Sequence, residues 1–305
     1  MALSPALIRK YNQPVPRYTS YPTVPLWDNQ IDLTSWEKTV KIAFDQFGKD
    51  EGISIYIHLP FCENLCTYCG CNKRITKNHK VEDPYIEAVL REWEHYLGVL
   101  GEMPKISGIH LGGGTPTFFA PESLEFMISK ILKSAERTKN FEFSFEGHPN
   151  NTTFEHLQEL ALLGFDRVSY GIQDFDEKVQ QAIHRIQPFE KVKLATDNAR
   201  KLGYTSVNFD LIYGLPHQTQ QTLENTFQKV AEFYDSQIGR DEAVMGINWL
   251  RWLLLWSHAK GTVLEVGAGT GRNIEYYPKK GVDRVVLSDV SDQMLLRAKT
   301  KLHQI

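Results

Sequence analysis

The sequence predicts an α/β protein built on a parallel sheet, and three observations support that prediction. Segments rich in β-branched and aromatic residues alternate with segments of helical apolar spacing along most of the 305 residues. Several predicted helices end at a glycine, as helices commonly do. The residues that suggest chemistry follow predicted strands, and ligands bind at the carboxyl ends of strands in such sheets.

The predicted elements follow an N-terminal arm over residues 1–50. The predicted strands share β-branched or aromatic residues and lie at 53–59, 106–111, 141–145, 167–172 and 206–213. The predicted helices lie at 83–97, 121–136, 153–163, 176–183, 188–202 and 219–234. Pro121 suits a first helical turn, and Gly164 and Gly203 close two helices. We therefore expect one module over 51–234 and a second over 235–305.

Composition excludes several classes of protein. Lys and Arg number 34 against 37 Asp and Glu, a net charge of −3, so we expect no nucleic-acid partner. We expect no targeting signal in the N-terminal residues, which lack a sustained apolar segment. The most apolar stretch, 249–256, is too short to span a membrane, and Arg251 interrupts it. It predicts a buried helix, with a partner-facing or membrane-surface helix as the alternative. We expect a cytoplasmic monomer.

Four cysteines, the only ones in the chain, lie within ten residues at 62, 66, 69 and 71. Three thiolates close together can bind three irons of a four-iron cluster and leave the fourth open to the amino and carboxylate groups of S-adenosylmethionine. Zinc is the alternative, but a four-cysteine zinc site usually pairs two well-separated Cys-x-x-Cys knuckles. The spacing therefore favours a [4Fe–4S] cluster on Cys62, Cys66 and Cys69, in a reducing compartment.

The flanking motifs make the pattern more specific. They are Arg-Tyr-Thr-Ser-Tyr-Pro-Thr at 17–23, Gly-Gly-Gly-Thr-Pro-Thr at 112–117, Phe-Glu at 145–146, Ser-Tyr-Gly-Ile-Gln at 169–173, His-Arg at 184–185 and Asp-Leu-Ile-Tyr-Gly-Leu-Pro at 210–216. With these motifs, residues 1–234 resemble the oxygen-independent coproporphyrinogen III oxidases, radical S-adenosylmethionine enzymes of haem biosynthesis. Related haem chaperones typically carry Phe where this chain has Cys71, which favours the oxidases.

The resemblance implies a fold and a set of roles. The fold would be a partial, truncated radical S-adenosylmethionine barrel of (βα) units, similar to part of a TIM barrel. Cys62, Cys66 and Cys69 would bind the cluster. One S-adenosylmethionine would contact Tyr56, Gly113 and Glu146. A second would contact Tyr68, Gly114, Thr115, Gln173, Arg185 and Asp210. Taken singly, the glycines could form a plain turn and Arg185 could be a surface charge.

The resemblance also implies a reaction, although the pattern assigns no catalytic residue. Two propionate side chains of coproporphyrinogen III would be oxidatively decarboxylated to vinyl groups, giving protoporphyrinogen IX. The implied partners are this porphyrinogen and an electron donor for the cluster.

From about residue 241 the chain resembles a different family, the class I S-adenosylmethionine-dependent methyltransferases. Gly267, Gly269 and Gly271 follow a predicted strand at 262–266, and Asp289 ends a second at 284–288. A dinucleotide-binding loop is the alternative, but its Gly-x-Gly-x-x-Gly spacing fits less well. Only two strands are present, so we expect a fragment of a Rossmann-like methyltransferase fold without independent methyl transfer.

A methyltransferase-like protein and a non-catalytic cofactor-binding fusion remain the alternative functions. We expect the two strands to extend the five-stranded sheet.

Overall fold

The computed structural model describes residues 32–244, 247–266, 271, 273–278, 280–288, 295–296 and 298–299. The sequence also predicts a last helix at 291–302, and most of it, like the motif at 17–23, lies outside this part of the chain. The described chain begins with helix α1, Leu33–Ala43, which the side chain of Asp32 caps by accepting from the backbone N–H of Ser35 at 2.7 Å. A π-helical turn and one short helical turn lead from α1 into the first strand.

A five-stranded parallel sheet forms the centre of the molecule, as predicted. Its strands are β1 Ile53–Leu59, β4 Lys105–Gly113, β5 Glu136–Gly147, β6 Phe165–Gln173 and β7 Ser206–Leu211. They lie side by side in the order β1, β4, β5, β6, β7. Between β1 and β4, two short strands, β2 Phe61–Cys62 and β3 Arg74–Ile75, pair in parallel with each other.

Helices connect the strands at nearly the predicted places. They are α2 Glu82–Leu100, α3 Pro121–Leu132, α4 Phe154–Leu162, α5 Glu177–Ala182 and α6 Phe189–Lys201, followed by α7 Gln220–Val244 and α8 Ile247–His258. The helix predicted over 121–136 is too long, because Glu136 already pairs with Lys105 as the start of β5. Helix α7 continues through the module boundary that we predicted near residue 235.

The core lies between the sheet and its helices. Large apolar side chains of β4 and β5, among them Ile109, Leu111, Phe143 and Phe145, are at most 1% exposed. They pack with helical residues such as Met127 in one apolar cluster. Burying each such side chain stabilises the fold by roughly 1.5–3 kcal/mol, which makes this sheet a rigid support for the residues at its carboxyl edge.

The C-terminal strands do not extend this sheet, so that prediction was wrong. Strand β8, Gly261–Val266, pairs in parallel with β9, Val282–Ser288, in a sheet of their own. Strands consecutive in the chain usually pair with each other, and here that preference prevails over joining the free edge of the five-stranded sheet at β7.

The apolar helix at 249–256 is also not buried as predicted. Trp249, Trp252 and Trp256 are 65%, 45% and 59% exposed. Among the described residues, no helix is long and apolar enough to cross a membrane.

Candidate functional site

Strand register places the predicted site residues at one edge of the five-stranded sheet. Leu59 lies beside Gly113 at the ends of β1 and β4, and Glu146, near the end of β5, lies beside Ser169 of β6. Asp210 of β7 lies beside Gly171 of β6. The side chain of Ser169 donates a 2.9 Å hydrogen bond to the Asp210 carboxylate. These residues lie towards the carboxyl ends of their strands, where the sequence analysis places them, and their binding roles stay a prediction.

The cysteine loop is fastened to this edge by backbone hydrogen bonds. The N–H of Gly114 donates to the carbonyl of Leu59 at 2.8 Å, and the N–H of Thr115 donates to that of Phe61 at 3.0 Å. On the other side of the loop, the N–H of Thr67 donates to the carbonyl of Ile183, at the end of α5, at 3.2 Å. The loop is thus held between β4 and α5, so its position follows from the fold.

All four cysteines are free thiols with different exposures. Cys62 is buried, Cys66 and Cys69 are half-buried, and Cys71 is exposed. Burial raises the pKa of the Cys62 thiol, and a 3.4 Å hydrogen bond with the Thr115 hydroxyl opposes that rise.

The first three cysteines line one cavity of about 380 Å³ together with Tyr68, Thr115 and Arg185, whereas Cys71 does not line it. No three Cys, His, Asp or Glu side chains of the described residues converge as ligands of one metal ion. A cubane needs no such convergence, because each thiolate binds a different iron. The three thiols therefore fit a cluster better than they fit zinc.

Arg185 is fixed against the cysteine loop by three directed contacts. Its Nη1 donates to the sulfur of Cys66 at 3.8 Å and its Nη2 to the carbonyl of Gly171 at 2.8 Å. Its Nε donates to the side-chain oxygen of Gln187 at 3.1 Å. Gln187 is fully buried, and its amide nitrogen donates to the carbonyls of Gly171 and Ile172. The guanidinium is held by buried groups and is not a mobile surface charge.

A second cavity of about 180 Å³ adjoins the first and collects most of the other predicted residues. Tyr68, Cys69, Gly114, Thr115, His148 and Arg185 line both cavities, and the second is also lined by Gly113, Glu146, Gln173 and Asp210. Two positions there require glycine. Gly113 has a φ of 113°, and a Cβ on Gly114 would lie 2.7 Å from the backbone of Pro60.

Sequence comparison adds the family to this geometry. The model of the radical SAM superfamily matches residues 56–230, more than half of the chain. The chain belongs to the radical SAM superfamily. The cofactors of this family are a [4Fe–4S] cluster and S-adenosylmethionine. The two joined cavities are lined by three thiols and by polar side chains.

Several relatives of this radical SAM chain are oxygen-independent coproporphyrinogen III oxidases. The one from Synechocystis is 36% identical over 250 residues, which cover 82% of this chain and 52% of the relative. One from Helicobacter pylori is 40% identical over 225 residues, covering 72% and 48%. The chain spans about half the length of these curated relatives.

A solved structure of a coproporphyrinogen III oxidase is also similar to this chain. Coproporphyrinogen III oxidase from Escherichia coli, described as a radical SAM enzyme, superposes with a TM-score of 0.67 at 33% identity. The match covers 75% of this chain and 50% of that one.

Tyr56 does not line either of the two joined cavities. It lines an apolar groove between β1 and the helices α1 and α2. Its ring stacks on His110 with a centroid distance of 5.9 Å, and its hydroxyl lies 3.0 Å from Nδ1 of His58. Burial and the nearby Glu146 carboxylate raise its pKa. Glu146 in turn lies 3.4 Å from the N–H of Gly113 and 3.7 Å from His110. Tyr56 is therefore connected to the site through its neighbours.

The sequence did not point to three residues that shape this site. Lys73 donates to the carbonyl oxygens of Cys69 and Cys71 at 2.9 and 3.3 Å, and Gln187 holds Arg185. His148 lines both cavities and accepts from the N–H of Asn150 through Nδ1 at 3.2 Å. Burial and then Arg185 lower its pKa to about 3. Only His148 carried a signal, since it follows Glu146 at a strand end.

The methyltransferase resemblance implies that Gly267, Gly269, Gly271 and Asp289 would bind S-adenosylmethionine in the C-terminal segment. Gly267, Gly269 and Asp289 lie outside the described residues. Gly271 occupies a turn with a φ of 72°, close to Ile274 and Ala298. The methyltransferase resemblance of residues 241–305 stays a prediction.

Proposed function

We propose that this protein carries out the oxidative decarboxylation of coproporphyrinogen III to protoporphyrinogen IX, in haem biosynthesis. The observation that carries the proposal is the joined pair of cavities. Three thiols open into one cavity, and the polar residues of the flanking motifs line the other. The identity to coproporphyrinogen III oxidases, 36% and 40% for two of them, supports the choice of substrate.

In this proposal Cys62, Cys66 and Cys69 bind the cluster. A reduced cluster held there would supply one electron for cleavage of S-adenosylmethionine to methionine and a 5′-deoxyadenosyl radical, which would take a hydrogen atom from the propionate β-carbon. Release of CO2, with transfer of one electron to a one-electron acceptor, would then complete each vinyl group. The protein positions the reacting groups and excludes water from them. Thr115 assists Cys62, because a hydroxyl that donates to the sulfur stabilises the thiolate form.

The polar residues of the second cavity bind S-adenosylmethionine in this proposal. The carboxylates of Glu146 and Asp210 accept hydrogen bonds from ribose hydroxyls. Gly113 and Gly114 allow the backbone to approach the cofactor closely. Tyr68 and Gln173 contribute a hydroxyl and an amide, and burial raises the pKa of Tyr68, so its hydroxyl stays protonated and can donate.

Arg185 has two roles in the proposal. Its positive charge next to Cys66 offsets part of the negative charge that three thiolates bring into the cavity. The guanidinium also faces the second cavity, where it can pair with the carboxylate of a bound S-adenosylmethionine. Gln187 and the Gly171 carbonyl fix its orientation in advance, which lowers the entropic cost of binding.

The substrate assignment can be tested with purified, anaerobically reconstituted protein. Coproporphyrinogen III, S-adenosylmethionine and a low-potential reductant are supplied, and vinyl products and 5′-deoxyadenosine are quantified together. We expect 5′-deoxyadenosine formation to rise with coproporphyrinogen III and to match the propionates lost. Cofactor cleavage that never depends on the porphyrinogen would contradict the proposed substrate while leaving the radical chemistry intact.

A second candidate function is cofactor binding by the C-terminal segment, as in a methyltransferase-like protein. The parallel pairing of β8 with β9 favours it, because a parallel pair joined through a glycine-containing segment begins such nucleotide-binding folds. Equilibrium dialysis with S-adenosylmethionine separates the candidates. Binding that survives loss of all four cysteines, but not an Asp289→Ala substitution, would support the second one.

A further inference from the structure

A strongly basic segment directly follows the cysteine loop. Between Glu63 and Glu82 the chain has no acidic residue, yet residues 72–81, which we term the basic strap, contain Lys73, Arg74, Lys77 and Lys80. The whole chain has a net charge of −3. This concentration of positive charge therefore has the opposite sign to the rest of the molecule.

The fold places the basic strap against the cysteine loop. Arg74 and Ile75 form β3, which pairs with Phe61 and Cys62 of β2. The N–H of Thr76 donates to the carbonyl of Cys62 at 2.9 Å. Lys73 adds its two side-chain hydrogen bonds to carbonyls of the loop. The strap is thus attached along the cluster-binding loop.

The charges of the strap are available to a partner. Arg74, Lys77 and Lys80 are exposed. Within the described part of the chain, none of these three forms an ion pair with a carboxylate, whereas Lys41, Lys49 and Lys193 do. Ile75, between Arg74 and Lys77, is 43% exposed and adds an apolar contact. Exposed basic side chains around an exposed apolar residue, as in the basic strap, are common in protein-docking surfaces.

We propose that the basic strap is the docking surface for an acidic one-electron carrier protein that reduces the cluster. The inference rests on the proposed function, because only a redox centre in the adjoining cavity gives such a carrier a purpose. One electron leaves the reduced carrier and one enters the cluster. No atom is transferred at this surface. Electrostatic attraction brings the acidic carrier to the strap and orients it, and both effects weaken as salt increases.

The position of the strap favours a carrier protein over other acidic partners. Electron transfer needs the two redox centres close together, and the strap lies along the loop that carries Cys62, Cys66 and Cys69. A nucleic acid or an anionic membrane would have no need of that position. Either one, bound by the same residues, is an outcome that the experiment distinguishes.

The experiment uses the reconstituted full chain, reduced flavodoxin as an acidic carrier, and charge-reversal variants. The test variant is Arg74→Glu with Lys77→Glu. The matched control is Lys133→Glu with Lys139→Glu, two exposed lysines outside the cavities. Stopped-flow absorbance gives the rate of cluster reduction, and calorimetry gives the Kd for flavodoxin.

We expect the test variant to reduce the rate, and to weaken flavodoxin binding, by about tenfold or more, with the control within about twofold. Raising the salt concentration should slow reduction of the unmodified protein similarly. Photoreduced deazaflavin, a small reductant that needs no docking, should reduce all three proteins equally.

Three results would overturn the docking proposal. These are equal flavodoxin rates in the test variant and the unmodified protein, rates insensitive to salt, and strap-dependent binding of duplex DNA or anionic vesicles that is tighter than that of flavodoxin. Absence of a cluster, or of cofactor cleavage with deazaflavin, would instead overturn the proposed function and the docking proposal together.

Discussion

The five-stranded sheet and the sheet of β8 and β9 are both parallel and built from apolar strands, but their surroundings are very different. In the five-stranded sheet, Ile109, Leu111 and Phe145 are at most 1% exposed, and helices pack over them. In the two-stranded sheet, Leu264 is 62% exposed and no described residue of β8 or β9 is buried. Parallel sheets are normally covered on both faces. A strand followed by glycines therefore predicts a strand and a turn. A packed core beneath the sheet is also needed to hold the side chains at the strand ends in fixed positions.

The largest effect is expected from removing a cysteine of the site that the five-stranded sheet supports. In the Cys66→Ser variant we expect the iron and sulfide of the reconstituted protein to fall to near background, because one thiolate ligand of the cluster is lost. Cys71→Ser is the matched control: Cys71 is exposed and lies outside the cavity that the other three thiols line, so its iron content should equal that of the unmodified protein. An intact cluster in Cys66→Ser would show that the ligand assignment is wrong.

One leucine from each sheet can be used to compare how much side-chain burial in β4 and in β8 contributes to stability. Leu111→Ala removes a fully buried side chain from β4 and should lower the free energy of unfolding by about 2–5 kcal/mol. Leu264→Ala removes an exposed side chain from β8 and should change it by at most about 0.5 kcal/mol. Urea unfolding followed by circular dichroism gives both values. Similar costs for the two substitutions would mean that β8 is covered as well as β4 is.

A matched pair of glycines tests the fastening of the cysteine loop. A Cβ at Gly114 would press on the backbone of Pro60 and Phe61, so Gly114→Ala should cost about 1–3 kcal/mol and reduce cluster assembly. Gly98 lies in α2 with open space around it, and Gly98→Ala should be neutral or stabilising by up to about 1 kcal/mol. Denaturation midpoints and iron content are measured for both. A harmless Gly114→Ala would show that the loop can shift without loss.

The smallest expected effect is a pH dependence of the free energy of unfolding, which arises from His148 in the site at the five-stranded sheet. The pKa of His148 is lowered from 6.5 to about 3, so the folded protein holds this ring neutral while the unfolded chain protonates it. The resulting stability is fully present above pH 6.5 and is lost as the pH falls from 6.5 towards 3.

His148→Gln should therefore weaken the pH dependence of unfolding by about 1 kcal/mol between pH 7 and 5, a reduced value because the ring faces a cavity. Urea midpoints at both pH values provide the measurement. Parallel pH profiles for the variant and the unmodified protein would contradict the account of His148.

Much of the five-stranded sheet was predictable because burial imposes a pattern on the sequence. The strand at 53–59 was predicted with its observed bounds, and the cysteines and glycines were placed at the correct edge. Gln187 could not be predicted. Its role depends on meeting Arg185 and the end of β6 in three dimensions, and no spacing in the sequence records that contact.

The C-terminal region was predicted less well for a related physical reason. Its strands were found, but their apolar character did not reveal which neighbours they would pair with. The tryptophan-rich helix was expected to be buried because its residues are apolar, yet Trp249 and Trp256 are exposed. Apolar composition states a preference for burial, and only the surrounding structure determines whether that preference is met.

The central claim is that the carboxyl edge of the five-stranded sheet holds a cluster that cleaves S-adenosylmethionine. The most direct measurement is the amount of 5′-deoxyadenosine released by the anaerobically reconstituted, chemically reduced protein. We expect release that depends on the reductant and disappears in Cys66→Ser. A protein that binds four irons but releases no 5′-deoxyadenosine, or a Cys66→Ser variant that still releases it, would contradict the account.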